Sequence, residues 1–185
     1  MKKFDAIIAK LNDRGVSFER GMSQQDVFDT EAYYGISFPD ELKNFYATGL
    51  PISSGFYNWR NKSSANISLI KRALEMPIEG LKVGLENGDF WCDSWGLHPE
   101  HSEDALEILL MHYSRAPKMI PIYSHRYMPS IPGSKNTPVF SIMQSDIIYF
   151  GTDLISYLEI EFGYKQHKDI LRASFQQIEF WNDLM

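Results

Sequence analysis

The sequence predicts a single α+β domain over residues 1–185, with a mostly antiparallel, curved sheet and helices packed around it. Three observations carry this. The stretch Pro138–Phe162, PVFSIMQSDIIYFGTDLISYLEIEF, holds two strand-forming runs around a short polar turn and then an amphipathic helix. Apolar residues at helical spacing recur several times before it. At 185 residues, 44% hydrophobic and 14% aromatic, the chain is long and apolar enough for one sizeable core.

Taken in order, Phe4, Ile7, Ile8 and Leu11 fall at i, i+3, i+4 and i+7, one face of a first helix that Gly15 ends. Ser23 and Asp26 are spaced as a capping box for a second helix through Tyr34, closed by Gly35. In ISFPDELKNFYATGLP, Pro39 suits the first helical position, Asp40 and Glu41 favour the positive N-terminal end, and Gly49 stops the helix. Ile52–Ser63 reads as a loop or short strand. Ser64 or Asn66 then caps a helix that buries Ile67, Ile70 and Leu74 and ends at Pro77. Leu81, Val83 and Leu85 alternate as a strand would, before the turn pair Asn87-Gly88. After Gly96, Ser102 caps a helix with Glu103 and Asp104 in its first turn. Its apolar face holds Leu106, Leu109, Leu110 and Tyr113; Arg115 sits in the last turn and Pro117 terminates it.

Met119–Tyr123 reads as a strand whose Pro121 places it at a sheet edge, continued after a bend by Arg126–Met128. Ile131–Asn136 is a loop. Pro138 opens a tight hairpin, Val139–Ile142 against Ile147–Phe150, turned by Gln144, Ser145 and Asp146 and apolar enough to be central. Phe140 and Tyr149 are its core residues. Gly151 breaks the strand, and Thr152 or Asp153 caps a helix of Leu154, Tyr157, Leu158 and Phe162. A last helix carries Ile170, Leu171 and Phe175, and the tail buries Phe180 and Trp181 by docking back.

Composition narrows the function. No run approaches the ~18 apolar residues that span a bilayer, and the apolar N-terminal run is broken by Asp5 and Lys10, unlike a secretory signal. A single cysteine, Cys92, fits a reducing cytoplasm. Net charge of −6 argues against direct nucleic-acid binding. From Val83 to Ser114 there is no Lys or Arg, but there are seven acids: Glu86, Asp89, Asp93, Glu100, Glu103, Asp104 and Glu107. Further along, Asp146 and Glu161 lie in a second stretch without basic residues. Such charge keeps a surface soluble; it also suits a basic partner.

Candidate chemistry is sparse. His98 and His101, near three acids, have a ligand-like spacing, but Pro99 separates them and no third ligand is implied, so no metal or cofactor is expected. Cys92 with His125 could pair as nucleophile and base, yet neither has a supporting motif, and Cys92 reads as a small filler. His125 and Arg126, at the strand bend, could bind phosphate or carboxylate; an Arg paired with an acid such as Asp146 is the simpler reading. Trp59, Trp91, Trp95 and Trp181 read as core rather than as a stacking platform. No catalytic residue is assigned.

Several segments together resemble the SUKH superfamily, which groups a fungal cell-wall-assembly regulator domain with bacterial toxin-immunity proteins. They are Pro39 heading the early helix, MPIEG (Met76–Gly80), FWCDSWG (Phe90–Gly96), PIYSHRYMP (Pro121–Pro129), the hairpin from Pro138 through IIYFG to Gly151, and EFWNDL (Glu179–Leu184). They span residues 30–185 in order, with Met76 standing where the bacterial branch is expected to have an aromatic residue. The resemblance implies mainly structural roles for Pro39, Trp59, Trp91, Trp95, Gly96, His125, Arg126, Pro138, Phe140, Asp146, Tyr149 and Gly151. It implies an intracellular, non-enzymatic immunity protein that neutralises a cognate, basic, nuclease-like toxin. The nine acids above are the candidate contact residues. A regulatory scaffold, or a small-ligand protein or enzyme using His125 and Arg126, is the alternative.

Overall fold

Residues 119–151 of the computed structural model, which describes residues 2–170 and 175–185, form a four-stranded antiparallel sheet. Its strands are β3 (Met119–Tyr123), β4 (Arg126–Pro129), β5 (Val139–Met143) and β6 (Asp146–Gly151), in spatial order β3-β4-β5-β6. A second, two-stranded sheet pairs β1 (Phe18–Arg20) with β2 (Gly49–Pro51). The six α-helices among the described residues are α1 (Lys2–Asp13), α2 (Gln24–Tyr34), α3 (Asp40–Thr48), α4 (Ser64–Glu86), α5 (Ser102–Tyr113) and α6 (Leu154–Glu161). The fold class is α+β, as the sequence predicts.

Local chemistry accounts for many boundaries. Ser23 Oγ accepts from the Asp26 amide and Asp26 returns the bond to the Ser23 amide, completing the capping box of α2. Gly35 closes α2 in the left-handed conformation, φ 60°. Asp153, rather than Thr152, caps α6 through the Ser156 amide. Pro39 is buried as the N-cap of α3, just outside its first turn. Ser102 is the first residue of α5 and not its cap; His101 takes that place without a side-chain bond.

The large sheet is covered on both faces, so alternate residues enter two different cores. Ile120, Ile122, Met128 and Val139 join the core under α1, α3 and α6. Met119, Tyr127, Phe140 and Ile142 join the other, with Leu109 of α5 and the C-terminal Phe180 and Trp181. The strands therefore read as nearly continuous apolar runs, unusual for an antiparallel sheet. Pro121 lies on the edge strand β3, where its missing N–H costs least. The hairpin is less central than its apolar content suggests. β5 is interior, but β6 is the other edge, with Ile148 exposed. Turn residues His167–Ile170 cover part of that edge: a His167 ring nitrogen meets the Tyr149 carbonyl oxygen at 2.9 Å, and the ring stacks on Phe150. Asp146 belongs to β6, opposite Met143, so only Gln144 and Ser145 form the turn.

The largest departure lies in residues 64–86. Pro77 does not end a helix, and Leu81–Leu85 is not a strand; both belong to the 23-residue α4, capped by Ser63. A proline at 77 strips the Ala73 carbonyl of its helical donor. Here the Tyr127 hydroxyl donates to that carbonyl at 3.1 Å, from the adjacent strand β4. The long helix is needed because it bridges both cores, with Ile70 and Ala73 in one and Ile78, Leu81 and Leu85 in the other. It passes very close to the β5–β6 turn: a Cβ on Gly80 would stand 2.6 Å from Gln144 Cα, and one on Gly84 would stand 3.3 Å from Ser145 Cβ. Tyr127→Phe should cost ~1–3 kcal/mol by orphaning the Ala73 carbonyl. Pro77→Ala should then help Tyr127→Phe more than it helps the parent. Denaturant melts of the four proteins check this, and strictly additive effects would refute the substitution of one donor for another.

Elsewhere, Leu110 points outward, with the buried face of α5 formed by Ala105 and Leu109, and Arg115 lies beyond the helix end. His167–Ile170 is a 3-10 turn rather than the start of a long helix. Leu171, placed on that helix from the sequence, lies outside the described residues. The tail does dock: Phe180 and Trp181 are buried.

Candidate functional site

The acidic segment runs from the end of α4, through the aromatic loop 89–101, into α5. Glu86, Asp89, Asp93, Glu100, Glu103, Asp104 and Glu107 are all exposed. No ion pair among the described residues involves any of them. Several acids elsewhere are paired, Glu41 with Lys3, Glu31 with Lys43, Asp26 with Arg20 and Arg60, and Glu159 with Lys10 and Lys165, while others, such as Asp5, Asp29 and Glu75, have no ion pair among the described residues either. Burial works to raise the Glu159 pKa, but bonds from Lys10 and Lys165 outweigh it and hold the carboxyl below its usual value.

Within this segment aromatic contacts and one hydrogen bond tie the loop to its surroundings. Trp91 Nε1 donates to the Gly96 carbonyl at 2.8 Å, and the His98 ring packs on Trp91 at 4.7 Å. Trp95 is stacked on His112 at 5.0 Å and on Phe180 at 6.0 Å, and meets Trp91 edge-on at 5.4 Å. Gly96 takes φ 95°, a turn that a side chain would strain. The result is that Leu97 stands 95% exposed at the loop's tip, the most exposed large apolar side chain described. The C-terminal tail buttresses the loop from beneath: Cys92 Sγ donates to the Asp183 carbonyl at 3.2 Å and Phe180 supports Trp95. Two shallow hollows flank the loop, one of about 240 Å³ by Trp95, His112 and Arg115, the other of about 550 Å³ by Asp89, Ser145 and Asp183.

The remaining candidates separate from this face or join its margin. Asp146 is exposed, next to Ser145 at the edge of the second hollow. Glu161 is half-buried and bonded to Arg126 Nε at 2.9 Å, so the acid paired with Arg126 is Glu161 and not Asp146. Arg126 also donates to Ser141 Oγ at 2.7 Å and lies over the Phe150 ring, 3.7 Å from its centroid. Its guanidinium is thus engaged within the fold. His125, beside it, has its pKa held below the usual value by burial and by Arg126, with Glu161 opposing in part, which favours the neutral ring at pH 7. Cys92 is buried, and no described hydrogen bond joins it to His125. His98 Nδ1 turns to the Pro99 carbonyl oxygen at 2.6 Å; among the described residues no group of three or more His, Cys, Asp or Glu is arranged to hold a metal ion. Trp59 and Trp181 are core; Trp91 and Trp95 are half-buried supports of the loop. Pro138, Phe140 and Gly151 are buried and Tyr149 half-buried.

No family model, no curated protein and no solved structure matches this chain. Chemically, the segment combines negative charge without ion-pair partners among the described residues, a loop braced by aromatic contacts and one exposed apolar side chain. Negative charge of this kind attracts positive charge at a distance, and an exposed apolar side chain gains by being covered. Leu97 and Asp183 were not among the sequence candidates. The one available signal for Leu97 was its place between Gly96 and His98 beyond a tryptophan-rich run, which by itself does not separate an exposed tip from a core residue. Among the described residues no helix is long and apolar enough to cross a membrane.

Proposed function

We propose that this chain is a binding protein that captures a basic protein partner on the Glu86–Glu107 face, as an immunity protein captures a toxin. The observation that supports it is Leu97, almost fully exposed on a loop held by tryptophan contacts, in a segment that carries seven exposed acids without ion-pair partners among the described residues. Like charges gathered in this way repel and weaken folding, a cost that a basic partner would offset. An apolar side chain on a loop braced at both ends suits the buried centre of an interface with acids as its rim, because less of the loop has to be ordered on docking. The resemblance to the SUKH superfamily points the same way: a cognate toxin, nuclease-like and basic because it must hold phosphates. Neutralisation would follow from covering the toxin's substrate surface, with no catalysis by this chain.

The test is association with the product of a neighbouring toxin gene. Reversing Glu100, Glu103 and Asp104 to Lys should slow association several-fold at low salt while the protein stays folded, the relief of repulsion being offset in part by the loss of Glu103 and Asp104 from the first turn of α5. The difference should shrink as added salt shortens the Debye length towards ~8 Å. Leu97→Ala should instead speed dissociation, by roughly tenfold for a loss of ~1.4 kcal/mol. Equal rates for the parent and both variants would remove this face from the interface, and no binding by any neighbouring toxin would end the immunity reading.

A further inference from the structure

We propose that the groove between the C-terminal end of α2 and the middle of α4 is a binding site for a small aromatic or aliphatic carboxylate. The groove measures about 410 Å³, within the range of small-molecule sites. Its floor is apolar, with Leu74 and Ile78 from α4 and Ile36 from the segment after α2. Lys71 sits on the same face of α4, three residues before Leu74, and Lys118 enters from just before β3.

The charges select the ligand. Neither Lys71 nor Lys118 has an ion-pair partner among the described residues. Lys118 Nζ donates to the Gly35 carbonyl at 2.8 Å, which fixes the ammonium beside the groove and leaves it two further donors. Lys71 Nζ lies 5.6 Å from the centroid of the Tyr33 ring and Lys62 Nζ 5.4 Å, so two ammonium groups stand close to this exposed aromatic wall. Glu75 is the one acid in the lining, leaving it with net charge +1 in a molecule of net charge −6. An apolar body on Leu74 and Ile78 with its carboxylate at Lys71 and Lys118 satisfies both features. A neutral ligand leaves the ammonium groups unused, and a cationic one is repelled. The groove lies on residues that the acidic face does not use, so the two assignments stand or fall separately.

Naphthalene-2-acetate and its uncharged amide are the probes, titrated calorimetrically into the full chain at low salt. The acid should bind with a Kd below about 1 mM and the amide about tenfold more weakly. Lys71→Gln combined with Lys118→Gln should abolish the acid's advantage with an unchanged melt, and Tyr33→Ala should weaken both probes. Equal binding of acid and amide, unchanged binding by the double lysine variant, or no binding at 5 mM would overturn the site. An acidic peptide carrying one Phe that binds tighter than naphthalene-2-acetate would overturn its assignment to a small ligand.

Discussion

Phe140→Ala is expected to destabilise the protein by ~3–5 kcal/mol, the usual cost of truncating a core phenylalanine. Phe140 is 0% exposed on the interior strand β5. It is registered between Tyr127 on β4 and Tyr149 on β6, with its ring 4.8 Å from that of Tyr149. Removing it leaves a cavity that a sheet covered on both faces cannot easily collapse into. At ~2–4 °C per kcal/mol for a chain of this size, the thermal midpoint should fall by roughly 6–20 °C. Denaturant melts give the free energy directly. A loss under ~1 kcal/mol would mean that the second core is not organised around the hairpin.

Trp181→Ala should cost a similar ~3–5 kcal/mol and carry a functional consequence. Trp181 is fully buried, four residues from the end of the chain, and its Nε1 donates to the Pro117 carbonyl at 2.9 Å. It anchors the tail whose Phe180 supports Trp95 and whose Asp183 carbonyl receives the Cys92 thiol. Loosening the tail should therefore loosen the loop that carries Leu97. Amide hydrogen exchange at Trp95 and Gly96 should quicken together with that of the tail, before global unfolding. Fast exchange in the tail with an unchanged loop would show that the Trp91–Gly96 bond and the Trp95–His112 stack hold the loop alone. Trp181→Phe should recover most of the packing and leave the Pro117 carbonyl unpartnered, at ~1–3 kcal/mol.

Several features that depend on short-range spacing agree with the structure, while others equally local, the helix end at Pro77 and the cap at Ser102 among them, do not. The capping box at Ser23 and Asp26, the helix stop at Gly49, the edge position that Pro121 imposes and the Val139–Phe150 hairpin all depend on residues a few positions apart. The seven acids between Val83 and Ser114 were visible as a charge run, because charged side chains belong on a surface whatever the fold. The partner of Arg126 was not visible. Glu161 lies 35 residues away on α6, and choosing it over the nearer Asp146 requires knowing that α6 packs beside the sheet.

By itself the sequence determined the fold class, most helix ends, the strands of the large sheet and the acidic character of one segment, all consequences of short-range spacing and of side-chain polarity. Only the tertiary structure decided that α4 runs through Pro77, since the Tyr127 hydroxyl that replaces the lost donor arrives from a strand 50 residues further along. It alone decided that the sheet is buried on both faces and that the tail braces the Trp91–His98 loop. Each of these depends on contacts between residues distant in the chain, whose energies exceed local propensity and leave no periodic trace in the sequence.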